Sequence, residues 1–449
     1  MEAMSRRRFL RSLSAAAIAT TASRGLPGRL HAAARPRVDA RTLRQRIEAL
    51  SAFGRPAGGG FADGVSRVAY SDADVEGRRY VMAQMTRAGL QPRIDPAGNI
   101  FAGRPGTGTG LPPILFGSHI DSVPNGGNFD GDLGSLAALG AIEALESAHL
   151  TTRHPLEMVI WAHEEGFAFG RGLACSRIAA GDFAPADLDE VWQGMRRSDA
   201  IRKIGGDPDR IAEARRARGS HHCYLELHIE QGGTLERTGV PIGVVEGIVA
   251  IDKYDAVITG MANHAGTTPI ADRHDALLAA AHLTVAVRDV VTRVPGRQVG
   301  TVGHIEVTPN SPNVIPGLVR LSIEWRDLSA QKLAEMMDDL RARAREIAAN
   351  TRTTIDFTRT MQAAPATATA AVQEGIERAA ATLGLGTSRL PSGAGHDAQM
   401  MALIGPMGMI FVPSAGGISH SPRELTHWDD CAHGADVLLG TILEMDATG

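Results

Sequence analysis

His119 and Asp121 stand two residues apart at the end of the apolar run Ile114–Ser118. An imidazole there can bind zinc, and a carboxylate two residues on can take its other N–H and fix the ring. Asp130 lies in Asn125-Gly126-Gly127-Asn128-Phe129-Asp130-Gly131, where glycines permit a tight backbone that aims one carboxylate inward. Glu164 and Glu165 directly follow the strand-like run Leu156–Ala162. Adjacent side chains at a strand end point to opposite faces, so one acid can bind a metal while the other works as a base. His228 alternates with Glu226 and Glu230 against Leu225, Leu227 and Ile229, and His420 sits beside glycines after the apolar run Gly408–Val412. Singly, each is an ordinary polar residue. Together, three His and two or three carboxylates have the ligand count of a dinuclear hydrolytic centre. The three cysteines (175, 223 and 431) form no CxxC pair, so the donors are N and O, which suits zinc, manganese, cobalt or nickel.

These residues need a frame. Helical periods run over Thr42–Leu50 and Val75–Ala88, and Gly134–Ala148 is an Ala/Leu-rich helix. Between them fall the strand-like runs Gln91–Ile94, Asn99–Gly103, Ile114–Ser118 and Leu156–Ala162. Such alternation predicts an α/β fold, a sheet with helices on its faces, and sites in open sheets gather at the carboxyl ends of strands. The pattern changes near Gly247. Ala250–Thr259, Gln298–Thr308, Val319–Arg326 and Thr353–Thr358 read as strands, and Asp275–Val291 and Ala330–Ala349 as helices. After Ala364 come a helix, the buried-type strand Gly408–Val412 and a closing helix from Asp429, with Ala363–Ala371 read as a linker. The expectation is a catalytic domain of residues 35–246 and 365–449, interrupted by a smaller four-stranded domain, 247–364.

Composition narrows the function. Lys+Arg 46 against Asp+Glu 50 offers no surface for a polyanion, and 4 Trp with 4 Tyr is poor material for base stacking. Nucleic acid is therefore not an expected partner. Arg6-Arg7-Arg8-Phe9-Leu10, a short apolar stretch to Ala19 and the small residues Ala32-Ala33-Ala34 read as an export leader of the twin-arginine kind, residues 1–34. Its apolar stretch is short of the ~20 residues that span a bilayer, so no membrane anchor is expected. The destination would be the periplasm or the outside, reached already folded.

Longer strings carry a resemblance. They include Gly117-Ser118-His119-Ile120-Asp121-Ser122-Val123-Pro124-Asn125-Gly126-Gly127, Phe129-Asp130-Gly131, Glu164-Glu165-Gly166 and His228-Ile229-Glu230-Gln231-Gly232. Further along stand Asn263-His264-Ala265-Gly266-Thr267-Thr268-Pro269, Pro309-Asn310-Ser311-Pro312-Asn313-Val314-Ile315-Pro316-Gly317, Ser392-Gly393-Ala394-Gly395-His396-Asp397-Ala398 and Gly417-Ile418-Ser419-His420-Ser421. From about Arg41 to Leu443 the chain resembles the amidase, hydantoinase/carbamoylase branch of the M20 dinuclear metallopeptidase superfamily. That branch holds N-carbamoyl-L-amino-acid hydrolases, allantoate amidohydrolases and β-ureidopropionases.

The resemblance implies two divalent metal ions per subunit, zinc first with manganese, cobalt or nickel as alternatives. His119, Asp130 and His228 would hold one; Asp130, Glu165 and His420 the other. Asp121 would orient His119, and Glu164 would be the general base. His264 would act across a homodimer interface on the oxyanion. Gln231, Asn313 and Arg326 would bind a small carboxylate-bearing ureido substrate, with backbone contacts from Gly393, Ala394 and Gly395. The implied reaction is metal-dependent hydrolysis of an N-carbamoyl amino acid to amino acid, ammonia and carbon dioxide. An allantoate-type amidohydrolase and an aminoacylase or dipeptidase are the rivals within the enzyme class. A secreted binding protein that has lost its chemistry is the rival outside it, and the intact ligand set with Glu164 speaks against it. Departures from the family pattern at Asp132, Phe167-Ala168 and Trp325 are expected to touch the neighbourhood of the pocket.

Overall fold

The computed structural model describes residues 35–448, so the leader at 1–34 lies outside the described residues. Nine strands form the main sheet. Its order is Arg93–Ile94, Ile100–Arg104, Leu156–Trp161, Ile114–His119, Cys223–Ile229, Met407–Val412, Ile242–Ile248 and Ala366–Thr367, with Thr387–Ser392 also paired to Ile242–Ile248. The four central strands, from Leu156–Trp161 to Met407–Val412, run parallel, and the pairings at the left edge are antiparallel. This is a mixed sheet.

Alternation along the central strands sorts their side chains into two cores. Ile114, Phe116, Leu225, Leu227, Ile410 and Val412 face a layer built on the helices Asp132–Ser147, Ala370–Thr382 and Trp428–Ala447. Leu115, Tyr224, Met409 and Phe411 face a second layer with Ala398 and Met401 of the short helix Asp397–Met401. Burial on both faces explains the unbroken apolar runs of these strands.

The second sheet has the order Val299–Thr308, Leu318–Asp327, Ala250–Thr259, Thr354–Ala363, antiparallel throughout. The helices Ala276–Arg293 and Ala330–Thr351 cover one face and meet Tyr254, Ala256, Ile258, Leu321, Ile323 and Trp325 in a separate core. Lys253, Glu324 and Arg326 alternate with those residues and therefore point from the opposite face. Among the described residues no helix is long and apolar enough to cross a membrane.

The expected elements form, with two differences. The run Ala363–Ala371 is not a plain linker: Ala366 and Thr367 pair with Ile248 and Gly247, and a helix begins at Ala370. Sequence reading also passed over Ile242–Ile248 and Thr387–Ser392, whose glycines, Arg389 and Pro391 mask a parallel pair.

Candidate metal centre and catalytic cleft

Four neighbouring parallel strands deliver the site at their carboxyl ends. His119 closes Ile114–His119, and His228 is the penultimate residue of Cys223–Ile229. Glu164 and Glu165 follow Leu156–Trp161, and His420 follows Met407–Val412. Asp130 arrives on the turn that opens helix Asp132–Ser147. Gly131 there has φ 67°, and a Cβ on it would lie 2.4 Å from His119 Cε1, so the imidazole rests directly on bare backbone.

Two triads result, sharing one carboxylate. His119, Asp130 and His228 can each offer a ligand atom within 4.8 Å of one another, and so can Asp130, Glu165 and His420. His119 Nε2 is 3.4 Å and His228 Nε2 3.1 Å from Asp130 Oδ1. On the other side His420 Nε2 is 3.4 Å from Asp130 Oδ2 and 3.2 Å from Glu165 Oε2. His228 Nδ1 donates to the Ile229 carbonyl at 2.9 Å and His119 Nδ1 to that of Asp121 at 3.0 Å. Each ring therefore turns the lone pair of Nε2 toward a carboxylate oxygen. Two such donor atoms facing one another are satisfied by a proton or by a metal cation between them. His228 Nε2 and Glu165 Oε1 are moreover buried without a hydrogen-bond partner. The residues present thus fit a divalent cation, with N and O donors only.

The charges are arranged to match. Burial pushes the Asp130 carboxyl upward, but His228, His119 and His420 outweigh it and hold it well below the ordinary range. His420 is raised to about 11, first by its hydrogen bonds to Asp130 and Glu165. Glu164 is raised well above the usual carboxylate value by burial, with Asp397, Glu165 and Asp130 adding to it against His119. It lies 3.8 Å from His119 Nε2, beside the cluster and in neither triad.

Asp121 serves differently from expectation. The ring of His119 is held by the Asp121 carbonyl, while the carboxylate stands 3.8 Å away. That carboxylate instead accepts the N–H of Glu164 (3.1 Å) and of Glu165 (3.2 Å), fixing the backbone under both acids.

An open cleft of about 880 Å³ starts at the cluster. Gln231, Gly393, Ala394 and His420 line it from the larger sheet's side, and Arg297 and Val299 from the smaller. Gln231, in the left-handed region at φ 57°, donates to Asp130 Oδ2 at 2.6 Å. Gly395 opens onto an adjoining cavity. Arg326 donates to the Gly393 carbonyl (2.5 Å) and to Glu324 (2.6 Å), spanning the two sheets. His264 and Asn313 stand apart, on exposed residues around the two-stranded pairing of Asn263–His264 with Val314–Ile315. Among the described residues neither makes a hydrogen bond or ion pair to the cluster. His264 Nδ1 accepts the Gly266 N–H at 3.0 Å, which leaves the proton of the neutral ring on Nε2 as an outward donor.

Of the departures from the family pattern, Asp132, Ala168 and Trp325 are buried and Phe167 is exposed. Asp132 and Arg67 form a fully buried ion pair. Trp325 is fully buried against Gly300 in the smaller core. Ala168 is buried and gives its carbonyl to His163 at 2.6 Å, while Phe167 is exposed beside Trp192. Sequence reading missed His396, whose ring backs His228 at 4.4 Å and bonds Ser392 at 2.9 Å. It also missed Glu424, for which nothing short of the fold gives a cue.

The comparisons that follow make the chain a hydrolase acting on C–N bonds other than peptide bonds. The chain belongs to the peptidase family M20/M25/M40, whose model matches residues 115–444. It is 38% identical to an N-carbamoyl-L-amino acid amidohydrolase of Geobacillus stearothermophilus, over 90% of this chain and 98% of that one. A ureidoglycolate hydrolase of Arabidopsis thaliana is 36% identical, over 93% and 89% respectively. The crystal structure of an amidase of the hydantoinase/carbamoylase family from Burkholderia multivorans superposes with a TM-score of 0.83 at 34% identity, covering 91% of this chain and 98% of that one.

Proposed function

We propose that the enzyme hydrolyses the ureido C–N bond of an N-carbamoyl amino acid, releasing the amino acid, ammonia and carbon dioxide. The observation that carries this is the pair of triads sharing Asp130, with a spare buried acid, Glu164, alongside. His119, Asp130 and His228 would hold one divalent cation and Asp130, Glu165 and His420 a second, zinc being the first choice. When bound, such cations acidify water and polarise the carbonyl oxygen of the substrate.

The chain's own groups do the rest. A Glu164 carboxylate oxygen takes the proton of the attacking water and hands it to the departing nitrogen, a role worth ~10²–10⁴ in rate. Asp121 keeps that carboxylate in place through the Glu164 N–H. Arg326 grips the substrate carboxylate in a two-pronged fork, and Gln231, Asn313 and the 393–395 backbone seat the remainder. His264 Nε2–H donates to the oxyanion of a neighbouring subunit. Exposed Leu278 and Val285 on helix Ala276–Arg293, with Ile305 on the edge strand beside it, offer that subunit an apolar face. Residues 1–34 would send the folded enzyme out of the cytoplasm; fusing them to a reporter and locating it tests this part.

The test of function is ammonia release from N-carbamoyl amino acids, allantoate, ureidopropionate and N-acyl amino acids, with the apo-enzyme supplied with zinc, manganese or cobalt. Turnover of N-carbamoyl amino acids above the rest is expected. Preference for N-acyl amino acids would sink the reading. Likeness to the ureidoglycolate hydrolase supports a second reading, a small ureido acid such as allantoate, and the same panel separates the two.

A further inference from the structure

The two triads and Glu164 leave the buried carboxylate of Glu424, which lies beside them, without a role. Glu424 lies in the segment between strand Met407–Val412 and helix Trp428–Ala447, only 4% exposed. No arginine or lysine is recorded as its partner among the described residues. A buried carboxylate without a cation is costly unless its oxygens are satisfied by donors. Here they are. Oε1 accepts the backbone N–H of Phe129 at 2.9 Å and of Asp130 at 3.1 Å. Oε2 accepts the Ser419 hydroxyl at 2.8 Å.

These three bonds join two loops at the site. One is the 125–131 turn that brings Asp130; the other is the 414–424 loop that brings His420. Ser419 Oγ also stands 3.1 Å from Asp130 Oδ2, so the bridge touches Asp130 at both its main chain and its side chain. Gly127 is shaped to admit it: a Cβ there would lie 2.0 Å from Glu424 Oε1. The backbone of the 125–131 turn is thus moulded around this one side chain.

We propose that Glu424 is a positioning residue that clamps the Asp130 turn to the His420 loop and so holds the shared carboxylate in register with both triads. It touches neither substrate nor cation; it acts through Asp130, Ser419 and the loop of His420. The inference rests on reading the two triads as a cation-binding centre. It makes specific demands on the side chain. Reach matters, because Oε1 and Oε2 serve different loops at once. Negative charge matters less. In Glu424→Gln, Oε1 can still accept both N–H groups, while Nε2 donates to Ser419 Oγ and frees its single proton for Asp130 Oδ2. Glu424→Asp keeps the charge but is one methylene too short to serve both loops.

Zinc titration of the full-length apo-protein by calorimetry tests this, alongside thermal unfolding of each apo-variant and steady-state kinetics. Outer-shell partners of metal ligands typically govern 10–100-fold in affinity. Glu424→Ala and Glu424→Asp should therefore bind zinc about 10–100-fold more weakly than wild type, with kcat falling and KM little changed. Glu424→Gln should lie closer to wild type than Glu424→Asp in both. A fold-supporting role alone would lower the unfolding temperature and leave zinc affinity intact. Wild-type affinity in Glu424→Ala or Glu424→Asp overturns the clamp, as does Glu424→Asp outperforming Glu424→Gln, which decides the matter even if the alanine variant fails to fold. Should the wild-type chain itself take up no zinc, the centre is misread, and the clamp falls with it; tight wild-type binding with unchanged variants overturns the clamp alone.

Discussion

At the ends of the nine-stranded sheet the polar side chains of the site are in contact and, apart from Glu165 and the half-open His420, buried, whereas on and beside the four-stranded sheet they are exposed or half-buried and apart. His119, Asp130 and His228 are each under a tenth exposed, wedged between strand ends and the helix that follows. His264 and Asn313 stand in the open, and Arg326 is occupied by Glu324 and a carbonyl across the cleft. The difference follows from how each sheet is covered. Helices and loops close both faces of the larger sheet, so its strand ends open into a low-dielectric recess where charges interact strongly. One face of the smaller sheet is bare, and polar groups there await a substrate, the opposite part of the chain or a second subunit. On the proposed reading the cation and its base belong to the first region, while the second adds Arg326, Asn313 and the His264 donor.

The sharpest way to break this division is Glu164→Gln. Loss of the general base should lower kcat by ~10²–10⁴ while zinc content and the apo unfolding temperature stay as they were. An unimpaired mutant would remove proton transfer from Glu164. Next in size is His264→Ala, since one oxyanion donor is typically worth about 10²–10³ in kcat. The division sharpens if His264→Ala and Glu164→Gln, each nearly inactive alone, regain activity when refolded together. Each chain would then supply what the other lacks. Absence of recovery would confine His264 to its own chain or exclude it from the reaction.

Cation removal separates the two regions by stability. A ligand at 100 times its dissociation constant stabilises the folded state by about 2.7 kcal/mol. Chelation should therefore lower hydrogen-exchange protection in the strands Ile114–His119 and Cys223–Ile229 and leave Ala250–Thr259 and Leu318–Asp327 unchanged. Equal loss in both sheets would mean that the centre organises the whole chain.

How much of this was legible in the sequence divides along the same line. The ligand residues could be found because each follows an apolar strand or sits among glycines, and that local pattern reports a strand end. The two triads depended on something less local, the parallel order of four strands drawn from positions 114 to 412. Asp121 shows the limit well. An H-x-D spacing allows the carboxylate to reach the imidazole, yet the backbone carbonyl takes that place and the carboxylate turns to the Glu164–Glu165 amides. Spacing fixes reach, not the choice among partners within reach. Asp132, Ala168 and Trp325 teach the same lesson from the other side: all three stand close in sequence to a site residue, yet each is buried in the packing. Glu424 is invisible for a third reason: its partners Phe129 and Asp130 are 295 and 294 residues away.

Arg326 is where the two regions meet, and its replacement gives the smallest effect and the finest distinction. Its guanidinium donates to Glu324 at 2.6 Å and to the Gly393 carbonyl at 2.5 Å, and Lys253 also holds Glu324, at 2.8 Å. Partial burial pushes the Glu324 carboxyl up, but Lys253 and Arg326 outweigh this and keep it below its ordinary value. Glu324 thus orients the guanidinium, and a substrate carboxylate can displace only the neutral carbonyl, the weaker acceptor of the two. Hydrogen bonds to charged groups contribute about 1.5–3 kcal/mol, so Arg326→Ala should raise KM roughly 10–100-fold for a carboxylate-bearing ureido substrate and leave kcat nearly unchanged. Arg326→Lys, which keeps the charge without the planar fork, should fall between. The carboxamide analogue of the same substrate supplies the control: wild type should discriminate against it, and Arg326→Ala should not. If KM for the acid stays put while the unfolding temperature drops, Arg326 is a strut between the two sheets and the carboxylate is held elsewhere in the cleft.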